Sequence, residues 1–226
     1  MGEKMTQEMY KQLILILTAT GETSLMVLFS AVFSLVLGLP LGILLCISDP
    51  AAGIKPKSAL YHVLSRIVNV LRSFPFIILM ILLFPFSRFI IGTSIGTAAT
   101  IVPLSIAAAP FVARIIETAL KEVDSGVIQA ARAMGSSTMQ IITKVLLPEA
   151  LPALTDGVTL TIINLIGYSA MSGAISGGGL GDLAIRYGYQ GFRPGIMAVC
   201  VVIILVMVEI VQLIGTTLSN RISSRR

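Results

Sequence analysis

The chain holds few side chains able to make or break a bond. Its single histidine, His62, comes with no Ser/His/Asp arrangement and reads as an interfacial polar residue beside Tyr61. Its two cysteines, Cys46 and Cys200, stand inside apolar runs with no Cys or His at metal-ligand spacing, which predicts small buried hydrophobes and no metal site. There is no GxxxxGK[ST] loop, and "GSSTMQ" (135–140) lacks the Lys that would reach a nucleotide's phosphates. What remains is recognition chemistry. Asn164, Tyr168 and Met171, spaced by four and three, share one helical face and offer an amide, a hydroxyl and a soft thioether. Glu209 reads as the one acid deep in an apolar run. It lies about 22 Å along a helix counted from Pro194, towards one end, so a snorkelled or Arg-paired carboxylate is expected rather than a proton relay.

The elements that must position these residues are membrane helices. Hydrophobic residues make up 55% of the chain and charged residues 12%, with a mean hydropathy of +0.95; a soluble domain is about a quarter charged. Strand alternation is absent, and a helix satisfies its own backbone inside lipid. The expected fold class is therefore all-α, a polytopic bundle of about five spans. Their approximate limits are Thr23–Ile47, Val63–Phe86, Ile90–Leu120, Leu154–Ser176 and Pro194–Leu218. Pro75, Pro103 and Pro110 fall within these segments, and each removes a backbone donor. They read either as packing geometry or as hinges of bent helices that border an opening and closing path. The polar residues of the fourth span are open in the same way. They are helix-packing contacts, or Asn164, Tyr168 and Met171 line a path.

Charge sets the expected orientation. Eleven basic residues gather on one side: Lys55, Lys57, Arg66, Arg72, Arg114, Lys121, Arg132, Lys144, Arg221, Arg225 and Arg226. Five lie on the other: Lys4, Lys11, Arg88, Arg186 and Arg193. The positive-inside rule makes the first side cytoplasmic, with the N-terminus outside and the C-terminus inside. The same rule accounts for the net charge of +5, so nucleic acid is not an expected partner. Residues 1–22 carry mixed charges, unlike a cleavable signal, and are expected as an extracytoplasmic segment leading into an uncleaved first span. A membrane domain then covers 23–220, and residues 221–226 form a basic tail.

One stretch interrupts the apolar pattern, a cytoplasmic loop over about 121–150. Within it, 124–137 predicts a helix: Asp124 and Ser125 suit the N-cap, Ala130, Ala131 and Ala133 favour helix, and Gly135 suits the end. At roughly 20 Å it is too short to span a bilayer. It is either a plain connector or a surface that a partner approaches closely over its small side chains.

The spacing of this stretch resembles the Glu-Ala-Ala loop of the membrane subunits of bacterial ATP-binding-cassette importers. Gln129-Ala130-Ala131 is followed by Gly135, Val145, Leu147 and Pro148 at that loop's offsets, with Gln129 in place of Glu and Val145 in place of Ile. "NVLRSFPFIILM" (69–80), "GTSIGTAATIVPLSIAAAPFVAR" (92–114), "KVLLPEALPAL" (144–154) and "GYSAMSGAISGGGLG" (167–181) are similar to the methionine-import permeases of the MetI type. The resemblance implies a permease in the bacterial cytoplasmic membrane, working as a homodimer for methionine. It implies a coupling helix that seats Gln129, Ala130, Ala131, Arg132, Gly135, Val145, Leu147 and Pro148 against two separate ATPase subunits. ATP and magnesium would belong to those subunits, so the chain itself is expected to be no enzyme and to hold no cofactor. It also implies an extracytoplasmic substrate-binding lipoprotein that docks near "SGGGLGD" (176–182). Another small solute, or an ion-coupled secondary transporter, are the alternatives.

Overall fold

The computed structural model describes residues 2–51 and 53–224. Arg225 and Arg226 of the expected basic tail, and the side chains of Glu3, Lys4 and Glu8, lie outside the described residues. Among those described the chain is helical, without strands. In order the α-helices are α1 (Gly2–Ser48), α2 (Ser58–Ser73), α3 (Phe76–Ile91), α4 (Thr97–Lys121), α5 (Ser125–Ala133), α6 (Thr138–Ile141), α7 (Leu147–Glu149), α8 (Leu151–Ser172), α9 (Gly179–Leu183) and α10 (Pro194–Ser223). Four stretches are long and apolar enough to cross a membrane: Tyr10–Ser48, Thr97–Lys121, Leu151–Ile175 and Pro194–Ser223. The broken pair α2 and α3 makes a fifth if taken together.

Three boundaries differ from the sequence expectation. α1 begins at Gly2, so the expected extracytoplasmic segment is the same helix as the first span. The second span is interrupted: Phe74 takes an extended backbone (φ −68°, ψ 135°) because the residue before a proline is pushed away from the helical region, and Pro75 caps α3. Pro75 thus stands at a break between helices, whereas Pro103 and Pro110 sit inside α4. The third span starts at Thr97, since Gly92 ends α3 in the left-handed region at φ +86°.

The contacts divide the chain into two units. One comprises Phe33–Phe74, Ala107–Thr161 and Gln212–Arg226. Within it, Gly38 and Gly42 bring α1 close to α4. A Cβ at Gly38 would stand 2.5 Å from Val112 Cγ1, and one at Gly42 2.6 Å from the Ala113 carbonyl oxygen. Glycines four apart remove the side chains that would hold two membrane helices at a distance. The amphipathic α2 packs Tyr61, Leu64 and Val68 with Leu45 and Ala113. Its opposite face exposes Val63, Ile67 and Val70.

The other unit comprises Met1–Val32, Pro75–Ile106 and Ile162–Val211. Here the glycine-rich turn after α8 is tied to two helices. The Gly179 N–H donates to Glu22 Oε2 and the Leu180 N–H to Thr23 Oγ1, each at 2.8 Å. Thr100 Oγ1 donates to the Gly177 carbonyl at 3.1 Å. Gly178 and Gly179 take φ +81° and +74°, a region closed to most side chains. Cys200 is buried with Ala19, Leu180, Leu183 and Ile196, and Cys46 is likewise buried among apolar side chains of the first unit.

Candidate functional site

α5 is short because its sequence starts and stops it. Asp124 accepts the Gly126 N–H at 2.6 Å and caps the first turn. At the far end Gly135 has φ +80°. The Gly135 N–H reaches the Arg132 carbonyl at 2.9 Å and the Ser136 N–H the Ala131 carbonyl at 3.1 Å. This is a Schellman ending, which needs a left-handed residue where Gly135 stands. Ser137 then opens a second helical leg through a reciprocal capping box with Gln140. The expected helix over 124–137 is thus a nine-residue helix followed by a turn. A π-helical turn (Ile142–Leu146) precedes Pro148. Pro148 has no N–H to donate to the carbonyl four residues back, and the ladder widens just before it: the Leu147 N–H bonds the Ile142 carbonyl.

The two halves of the spaced pattern meet in one core. Ala131 is buried with Ile116, Leu120, Ile141, Ile142 and Leu146, and Val145 and Leu147 pack against the same cluster. A larger side chain at 131 would push α5 off its support. Gln129, Ala130, Arg132 and Gly135 are exposed, and Pro148 is half-buried. Val127, Ala130 and Met134 follow one helical face outward, with Met134 80% exposed. Arg132 turns away from that face and donates to the Ile54 carbonyl at 2.8 Å, which ties α5 to the segment linking α1 and α2.

Of the expected path residues, Tyr168 is the one with a defined partner. Its ring stacks on Phe76 at a centroid distance of 4.2 Å. Phe76 follows Pro75, so one expected path residue and one expected hinge are brought side by side. Asn164 is half-buried, Met171 is exposed, and Gly167 between them faces open space. Glu209 is exposed on α10 and, among the described residues, has no ion-pair partner, so of the two expected states, snorkelled or Arg-paired, the pairing is absent.

Buried acids lie elsewhere, at Glu117 and Asp49. Glu117 on α4 is 1% exposed. One oxygen accepts from Arg114 Nη1 at 2.6 Å; the other accepts from Lys121 Nζ at 2.7 Å and from the Tyr61 hydroxyl at 3.2 Å. Lys121 also pairs with Asp49, and Arg114 Nη2 donates to Asn69 at 2.7 Å and Ser65 at 3.0 Å. Sequence reasoning missed this group, although Arg114, Glu117 and Lys121 stand at i, i+3 and i+7, the spacing of ion pairs along one helix face. It also missed Glu22, whose carboxylate holds the glycine-rich turn.

These features define a multi-pass helical membrane protein in which a short, glycine-terminated helix joins two long apolar ones. The chain belongs to the binding-protein-dependent transport system inner membrane component family, whose model matches residues 38–224. It is 48% identical to the probable D-methionine transport system permease protein MetI of Vibrio cholerae serotype O1, over 93% of each chain. It is 52% identical to the D-methionine transport system permease protein MetI of Escherichia coli strain K12, over 70% of this chain and 73% of that one. Its fold matches an inward-facing crystal structure of the MetNI methionine ABC transporter with a TM-score of 0.90 and 46% identity, covering 93% of this chain and 97% of that one. An amino acid ABC transporter crystallised with histidines shares the fold at a TM-score of 0.75 and 21% identity.

Proposed function

We propose that this chain is the membrane-spanning permease subunit of an ATP-binding-cassette importer and that its cargo is methionine. The observation that carries the reading is α5 itself. It is a capped helix with Ala131 and Ile128 seated on the chain's own core and its Val127–Ala130–Met134 face left uncovered. Relatives that share about half of the sequence are D-methionine permeases. The chain has no phosphate-binding loop of its own, so ATP and magnesium are held by two separate ATPase subunits, one for each copy in a permease homodimer.

The mechanism is mechanical. A substrate-binding protein delivers methionine on the outer side. ATP closes the ATPase pair, which draws the two α5 helices together and opens the permease outward; hydrolysis resets it. No covalent step occurs in this chain. Tyr168 and Met171 offer an aromatic and a thioether surface to an apolar amino-acid side chain. The carboxylate of Glu117 is engaged on both oxygens by Arg114, Lys121 and Tyr61, and Glu209 is exposed on α10.

Reconstitution tests the reading. The permease, co-purified with its ATPase and placed in liposomes with the binding protein, is expected to take up labelled methionine with ATP and no ion gradient. Uptake driven by a proton gradient without ATP overturns it.

A further inference from the structure

The group around Glu117 lies at the root of the docking loop and binds three helices. Glu117 and Lys121 close the end of α4, Asp49 follows the last residue of α1, and Tyr61, Ser65 and Asn69 stand on α2. Two acids face two bases, so the group is neutral as a whole, and every side chain in it has a bonded partner. Such a network is a poor source of stability, because well-packed apolar residues of similar volume are often as stable. What it supplies is a single register. Apolar helix faces slide and rotate on one another at little cost, whereas a charged network is satisfied in one arrangement and leaves buried charge exposed to loss in any other. A line of contacts joins it to α5. Arg132 of α5 donates to the Ile54 carbonyl, Lys55 N–H bonds the Ile47 carbonyl at 2.9 Å and Gly53 N–H the Asp49 carbonyl at 2.9 Å, and Asp49 pairs with Lys121.

We infer that Glu117 is a positioning residue of the transport cycle: with Asp49, Lys121 and Arg114 it locks the root of the docking loop to α1 and α2, so that a pull on α5 moves those helices as one body. This rests on the proposed docking of α5 to an ATPase. Glu117 touches neither cargo nor nucleotide; its role is to keep hydrolysis coupled to movement. Losing it lets α5 follow the ATPase while α1 and α2 lag behind.

The test is the number of ATP molecules hydrolysed per methionine taken up by the reconstituted complex. Glu117→Gln keeps the side-chain volume and removes the charge. It is expected to assemble with the ATPase and retain hydrolysis, with the ratio raised about tenfold, the scale of a one-site change in coupling free energy; Glu117→Asp is expected to recover part of the loss. An assembled Glu117→Gln complex with the wild-type ratio overturns the inference. If Glu117→Gln fails to assemble, Asp49→Asn at the edge of the group is read in the same way, and an unchanged ratio there overturns it equally. A wild-type complex that takes up methionine without ATP overturns the functional reading beneath it instead, which keeps the two failures distinguishable.

Discussion

Tyr168 lies flat against Phe76, their rings 4.2 Å apart and within 7° of parallel. The contact joins the C-terminal part of α8 to the first residue of α3, directly after the break at Phe74 and Pro75. An aromatic pair of this kind contributes about 0.5–1.5 kcal/mol beyond the area it buries. It therefore fixes the start of α3 at the point where the backbone leaves the helical region.

Replacing Tyr168 with Ala removes the stack, whereas Phe retains it and removes only the hydroxyl. The Ala variant is expected to lower methionine uptake and to lower stability by about 1 kcal/mol. The Phe variant is expected to keep its stability. Uptake rate and thermal unfolding of the purified permease in detergent separate the two effects. Wild-type uptake by both variants would return the fourth span to a packing role.

Gly135 adopts φ +80°, and a Cβ built there meets nothing within 4 Å. Its substitution cost is thus conformational, about 1–2 kcal/mol for Ala in the left-handed region and less for Asn. Gly135→Ala is expected to weaken co-purification with the ATPase, Gly135→Arg to abolish uptake, and both to leave membrane insertion intact. Pull-down and uptake read the first two effects, and membrane fractionation reads the third. Full uptake by the Arg variant would remove α5 from the docking site.

Glu22 holds the Gly179 N–H through a contact that spans 157 positions of sequence. Removing the carboxylate leaves a donor without its acceptor, a change of about 1–3 kcal/mol where water is excluded. In Glu22→Ala, hydrogen exchange of the 177–183 backbone is expected to quicken while the α5 backbone is unaffected. Equal protection in variant and wild type would show that Thr23 and Thr100 hold the turn without it.

Gly42 meets the Ala113 carbonyl and the Ile116 side chain. Gly42→Leu is expected to separate α1 from α4 and lower the yield of folded permease, because overpacking costs about 1–3 kcal/mol or more where backbone is the obstacle. Size-exclusion profiles of Gly42→Ala and Gly42→Leu should rank by side-chain volume. A monodisperse Leu variant at wild-type yield would contradict the close approach.

Local chemistry was legible in the chain. Long apolar runs make helices in lipid whatever they pack against, so the class and the rough spans could be read from composition alone. The short helix and its ending could be read from Asp124, the alanines and Gly135, because caps and turns depend on residues a few positions apart. Tertiary structure decided the rest. Glu117 was missed in the sequence, and only the packing of α1 and α2 against α4 shows it buried with Arg114, Lys121 and Tyr61 around it. Glu209, expected as a snorkelled or Arg-paired carboxylate, is exposed and, among the described residues, has no ion-pair partner, because an apolar run does not say which of its faces meets protein. Glu22, placed by sequence in a solvent-facing lead segment, serves a turn 157 residues away. Sequence spacing records neighbours along one helix; which helix lies opposite, and hence which charge finds its partner, is set by packing between segments distant in the chain.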